Sequence, residues 1–377
     1  MITRYDEMFC HQAVSTFDTP GTSAREWTER AWCQIHEING AGHLATGFGY
    51  YPNRNVMDAF VCYTIEDKIQ YTIRASRVLR PDIDVFKVGP FTYEVVEPLK
   101  KARYILDENE YGLSFDITLE GTSPLFEEIP AQYHVERGRV KEHIKRIIQS
   151  GRASGWLKTE EGTVELDKDN WVGERDRSWG VRVGGAEMFA ETGVQDPKIY
   201  DGLLFNFVMM HFKDWGACFH IREVWDDKNS CVRTWHFGGG LYYPFGVDKE
   251  PLELVRVDHN YAFNDDRPEQ PRRFAGGNVK MEVCDGRIIE AAIKPISICY
   301  QAPGGYGGFY KNFIHGVWMG EDWMDGYKFD LTDPEVIADI WGYCDYGSEF
   351  TCNGEVGYGT TELLVVGKYP KYGYMDY

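Results

Sequence analysis

Polar and apolar residues alternate with period two along much of the chain. In "KIQYTIRAS", Ile69, Tyr71, Ile73 and Ala75 fall on one side and Gln70, Thr72, Arg74 and Ser76 on the other. "LSFDITLEG" repeats this with Leu113, Phe115, Ile117 and Leu119 against Ser114, Asp116, Thr118 and Glu120. Such alternation predicts half-buried antiparallel strands. Turn-forming stretches such as "IEDK", "LDENEYG", "TEEG", "DDKN" and "CDGR" separate short runs at the spacing of sandwiches and barrels. The pattern predicts an all-β fold. Two segments read as helical. "RVKEHIKRIIQ" sets Val140, Ile144, Ile147 and Ile148 at near-helical spacing. In "DLTDPEVIADIWGY", Thr332 or Asp333 can cap, Pro334 suits the first turn, and Val336, Ile337, Ile340 and Trp341 make an apolar stripe. This second helix is expected to cover a sheet edge or barrel end.

A chain of 377 residues predicts two domains at roughly 100–200 residues each. A hairpin through Glu161 and Gly162 ends one β-rich half; "LLFNFVMMHF", "CFHIREVW", "VRTWHFGGG" and "TTELLVVGKY" belong to another. The expected division is 1–165 and 166–377. The aromatic content of 15% and the 40 glycines suit pleated surfaces and tight turns, consistent with that reading.

The formal charge of -19 argues against nucleic acid or an anionic membrane as partner, because phosphates are bound by clustered Lys and Arg. Nine cysteines (10, 33, 62, 218, 231, 284, 299, 344, 352) are scattered without C-x-x-C spacing, so they read as reduced core residues. No leader-like or membrane-length apolar run occurs, which predicts a cytoplasmic chain without stable membrane insertion. A homo-oligomer is left open.

One segment departs from the regular pattern. "WVGERDRSWGVR" (Trp171 to Arg182) mixes charge with two tryptophans and two glycines. Read as a strand, it sets Glu174, Asp176, Ser178 and Arg182 on one face and Arg175, Arg177, Trp179 and Val181 on the other. A polar face on a barrel wall is costly unless ligand or partner groups satisfy it. This makes Asp176 the leading catalytic candidate, with Ser178 and Arg182 beside it; the alternative is a structural ion-pair network at the domain junction. Further candidates for substrate contact are Trp179, Trp235, His236, Tyr242, Tyr243 and His220. His220 and Glu223, three apart on a strand, point to opposite faces, so no metal site is expected, and no nucleotide fingerprint is present.

"GERDRSWGVR" (173–182), with "SGRASGW" (150–156), "GYGTTE" (357–362) and "NEYGLSFDITLEG" upstream, resembles bacterial proteins related to carotenoid 1,2-hydratase (hydroxyneurosporene synthase). The resemblance covers most of the chain. Many of those relatives carry His where this chain has Arg177. The resemblance implies two consecutive lipocalin-like antiparallel β-barrel or sandwich domains with few short helices. It also implies a hydrophobic, isoprenoid-like or aromatic small-molecule substrate and an acid that protonates a carbon–carbon double bond. The expected activity is cofactor-independent acid–base chemistry of the hydratase, isomerase, cyclase or lyase type. The alternatives are a non-catalytic carrier of hydrophobic ligands and a carboxylate-pair hydrolase using Asp176 with Glu223 or Asp258. Adjacent arginines lower a carboxyl pKa, so an acid at Asp176 requires them to point away or pair elsewhere.

Overall fold

The computed structural model describes residues 2–7, 9, 14–136, 138–182, 202–265 and 268–375. It is nearly all β and forms two curled antiparallel sheets. The first part of the chain supplies β1 (Trp27–Glu37), β2 (Gly42–Tyr51), β3 (Val56–Ile65), β4 (Ile69–Val78), β5 (Lys87–Val88), β6 (Phe91–Glu97) and β7 (Lys101–Leu106). It continues with β8 (Ser114–Gly121), β9 (Phe126–Glu127), β10 (Gln132–Glu136), β11 (Arg139–Thr159), β12 (Gly162–Leu166) and β13 (Trp171–Val181). Then come β14 (Gly202–His211), β15 (Gly216–Asp226), β16 (Cys231–Tyr242), β17 (Leu252–Asn264), β18 (Arg273–Val283) and β19 (Ile288–Tyr300). β20 (Asp322–Asp330), α1 (Pro334–Ile340), β21 (Cys344–Cys352) and β22 (Glu355–Gly367) complete the order.

The first sheet has 14 strands, ordered β20-β4-β3-β2-β1-β13-β11-β8-β7-β6-β5, with β9, β10 and β12 attached to β11. The second is a closed barrel, β14-β15-β16-β17-β18-β19-β21-β22, in which β22 pairs back onto β14. The chain leaves the first sheet after β13, so the expected 165/166 division falls inside that sheet. β20 then crosses back to pair with β4.

Each sheet wraps its own apolar core. Ile35, Leu44, Ile73, Phe91 and Leu119 belong to the first core, and Leu204, Phe219, Met281 and Phe350 to the second. α1 adds Ile337 and Ile340 to the barrel core, with Asp333 capping its start by accepting from the Glu335 N–H, so it does cover the barrel as its stripe predicts.

The segment 139–149, expected to be helical, is instead the first half of β11. Its apolar residues suit either state, but burial alternates: Glu142, Ile144, Arg146 and Ile148 are inside while His143 and Lys145 are outside. Charged residues on the buried face disguise the two-residue period from a hydrophobicity reading. The same holds in β4, whose polar side is not solvent-facing: Gln70, Thr72, Arg74 and Ser76 are all buried. Gln70 donates to the Tyr300 carbonyl at 2.9 Å, and Arg74 to the carbonyls of Pro303 and Tyr310 at 3.1 and 3.0 Å. The polar faces of the first sheet's strands therefore pack on the outside of the barrel and its loops. Of the cysteines, six are buried as expected, Cys231 is half-buried, Cys284 is exposed, and Cys10 lies outside the described residues.

Candidate active site between the two sheets

β13 is held on both sides, by β1 and by β11, and the registers fix which side chains share a face. Ser178 lies between Arg30 and Arg146, Asp176 between Trp32 and Ile148, and Glu174 between Gln34 and Ser150. Opposite stands a row on the outside of the barrel, where His220, Phe207, Glu362 and Asp345 are register partners across β15, β14, β22 and β21. Between these walls lies a cavity of about 180 Å³, lined by Arg30, Glu142, Arg146, Asp176, Arg182, Phe205, Phe207, Arg222, Tyr306, His315, Tyr343, Glu362 and the glycine-rich loop at 305–308. Asp176 and Arg182 thus share one chamber, and Glu362, from the quoted "GYGTTE", faces it from the other sheet.

The electrostatics of the chamber follow from burial and arginine placement. Burial raises the Asp176 carboxyl above its ordinary value, and Arg146, Arg182 and Arg30 only partly offset this. Arg146 Nε lies 3.4 Å from Asp176 Oδ2, an ion-pair distance without hydrogen-bond geometry, and Asp176 Oδ1 is buried with no hydrogen-bond partner among the described residues. Arg175 and Arg177 point to the opposite face: Arg175 donates to Gln149 Oε1 at 2.7 Å, and Arg177 to the Arg30 carbonyl at 2.8 Å. Glu362 is pushed up to about 7, chiefly by burial and by the Asp176 charge, against the opposing effects of Tyr343 and Arg146. The Tyr343 hydroxyl donates to Glu362 Oε2 at 2.5 Å. Burial, with Arg30 and Arg146 nearby, drags Arg182 down to about 10.

Beside the chamber, Glu128 is held well below the ordinary carboxylate range; burial opposes this, but Arg146, His220 and His236 outweigh it. His220 Nδ1 is 2.8 Å from Glu128 Oε1, and Arg222 Nε donates to His220 Nε2 at 3.3 Å. Glu128, His220 and His236 bring possible metal-ligating atoms within 4.8 Å of one another. The Arg146 guanidinium 3.3 Å from Glu128 and the Arg222 contact on His220 already engage these atoms with positive charge, which disfavours a cation there.

The remaining candidates lie elsewhere. Ser178 is buried in the wall between Arg30 and Arg146 but does not line the chamber. Trp179 is on the opposite face and 36% exposed. Trp235 stacks edge-on against His134, and Tyr242 is buried against Ser150, 2.6 Å from its hydroxyl. Tyr243 lies under the Lys249 ammonium. Of the proposed second acids, Glu223 is bound to His259 at 3.1 Å and to Tyr369, and Asp258 pairs with Arg256 on the surface. Neither lines the chamber. Sequence reasoning missed Glu362, Arg30, Arg146 and Tyr343. The one available signal was Glu362 itself, a carboxylate set in the otherwise apolar and small-residue stretch 359–367.

A second cavity, about 590 Å³, opens on the other side of β13 within the first sheet, lined by Trp27, Phe48, Tyr50, Met57, Phe86, Tyr93 and Arg177 among others. β13 therefore separates a charged chamber from an apolar one.

Residues 2–375 match a family of unknown function, DUF8625. The chain belongs to that family. No curated protein matches it. Among solved structures, kievitone hydratase from Nectria haematococca is similar with a TM-score of 0.41 at 11% identity, covering 90% of this chain and 89% of that one. CghA with Sch210972 gives 0.47 at 10% identity, and CghA alone 0.48 at 10%, each covering 91% of this chain and 89% of the other.

Proposed function

We propose that this DUF8625 member is an enzyme performing acid–base chemistry on a small molecule in the chamber between the two sheets, of the hydratase, isomerase or lyase kind. The supporting observation is the pair of carboxyls on opposing walls, Glu362 and Asp176, both raised by burial and both beside Arg146. Glu362, with a pKa near neutrality, is the proton donor; a general acid works best when its pKa lies near the working pH. Asp176, nearest to Arg146, is the acceptor. In a hydration, Glu362 protonates one alkene carbon, Asp176 takes a proton from water, and the water oxygen bonds to the other carbon. The proton then passes from Asp176 back to Glu362. Arg146, 3.4 Å from Asp176, favours the ionised, proton-accepting form of that carboxyl.

The test is untargeted mass spectrometry of small-molecule extracts incubated with the protein in heavy water. The expected result is deuterium incorporation or a mass gain of water in a few compounds. Glu362→Gln and Asp176→Asn should each lose it by ~10²–10⁴-fold while staying folded. Equal product profiles for wild type and both variants would overturn the reading.

The apolar cavity favours a second reading, a carrier for a hydrophobic ligand held by Trp27, Phe48 and Phe86. A carrier retains ligand affinity in Asp176→Asn, whereas the enzyme binds and fails to turn over.

A further inference from the structure

We infer that the ligand of the charged chamber is a small carboxylate, held by Arg30 and Arg182; this rests on the acid–base reading of the same cavity. The arginines of the chamber are not equally engaged. Arg222 donates to both oxygens of Glu142, at 2.7 and 2.9 Å, and to Gln132 at 3.0 Å. Arg146 is shared between Glu128 and Asp176. By contrast, the Arg182 guanidinium has no hydrogen bond or ion pair among the described residues, although it lines the chamber. Arg30 lies over the Tyr306 ring at 5.3 Å and is held in its charged form by the nearby Tyr51 hydroxyl and Asp58 carboxyl, but its Nε is buried without a hydrogen-bond partner among the described residues. Arg30 and Arg182 are near enough to repel each other's charge. Two half-buried guanidinium groups with no ion pair among the described residues are costly to hold close together unless an anion bridges them.

The opposing wall limits what that anion can be. Glu142, Asp176 and Glu362 also line the chamber, so a dianion such as a phosphate ester would face three carboxyls, whereas a monoanion is better balanced against Arg30 and Arg182. Phe205, Phe207 and Ile314 supply an apolar flank for the ligand's body. A volume of about 180 Å³ is below the ~300–1,000 Å³ of drug-sized ligand sites. The geometry therefore departs from a long isoprenoid chain and fits a short one ending in a carboxylate, which guanidinium pairs bind with directional hydrogen bonds.

Calorimetric titration of the full chain with benzoate, benzamide and inorganic phosphate tests this. Benzoate should bind, benzamide should bind at least tenfold more weakly, and phosphate should not exceed benzoate. Arg182→Met should weaken benzoate by tenfold or more, with Arg182→Lys in between; Arg30→Met provides a second variant should Arg182→Met fail to fold. Tighter binding of phosphate, equal binding of benzamide, no binding of any probe, or unchanged affinity in a folded Arg182→Met would overturn the inference. The heavy-water assay with Glu362→Gln is independent of these titrations. Absence of benzoate selectivity with turnover still lost in Glu362→Gln sinks only the carboxylate. Retained turnover in Glu362→Gln sinks the acid–base reading instead.

Discussion

Two glutamates flanking the same chamber have opposite responses to pH. Glu362 has an unfolded value of 4.5 and a folded value of about 7. Its folded pKa is raised, so stability is fully present below pH 4.5 and is lost as pH rises through 7. The loss amounts to about 3 kcal/mol above pH 8, taking ~1.4 kcal/mol per unit. Glu362→Gln should therefore raise the melting temperature at pH 8, with little effect at pH 4, when compared by calorimetry across pH. The groups facing Glu362, namely Tyr343, Arg146, Asp176 and Arg182, make this a local and not a surface effect. Glu128 has a lowered folded pKa, so its contribution is present at neutral pH and lost as pH falls through that value. Glu128→Gln leaves Arg146 and the histidines without their shared anion and should cost ~3–5 kcal/mol at pH 7. Asp176 could be singled out from the sequence because it sits in an anomalous strand. Its partner Glu362 stood out only as a carboxylate among apolar and small neighbours, and its pairing with Asp176 was not legible because Asp176 belongs to the other sheet.

At the level of strands, the sequence revealed β4 and β8 through their alternation and α1 through its cap and stripe. β11 was hidden for a physical reason: its inward side chains include Glu142 and Arg146, so the buried face is not the apolar face. The same property made β13 look anomalous. The glycine ending its Arg-Ser-Trp-Gly stretch also has a structural explanation. Gly180 sits at φ +136, and a Cβ there would collide with the His143 carbonyl of β11. Gly180→Ala should push β11 and β13 apart and lower the melting temperature by several degrees, beyond the usual loss for a surface strand position. The cap of α1 is a milder case: Asp333→Ala should cost about 1 kcal/mol, measured by denaturant unfolding.

At the scale of the molecule, a layer of buried polar contacts joins the two sheets. Gln34 contacts His43 at 2.7 Å and also Thr360 of the barrel, while His43 reaches Ser297 at 3.0 Å. Such a layer stabilises only when its members are satisfied together, so the sheets should unfold in one transition by calorimetry and by tryptophan fluorescence alike. Two resolved transitions would contradict this. The all-β character was legible from turn spacing and period. The path between the sheets was not, because β20 pairs with a strand made some 250 residues earlier, from Asp322 back to Arg77, and periodicity carries no information about such a return.

That return strand sets an order of events during synthesis. While the ribosome is still making the barrel, β4 presents a bare edge of unpaired amides and carbonyls, the feature that invites aberrant pairing with other chains. Translation must pass Asp330 before the edge can be sheltered, so the first sheet, although nearly all of it emerges first, is completed only shortly before β21 and β22 close the barrel. A nascent chain stalled before β20 would depend on chaperones in a way the finished protein does not.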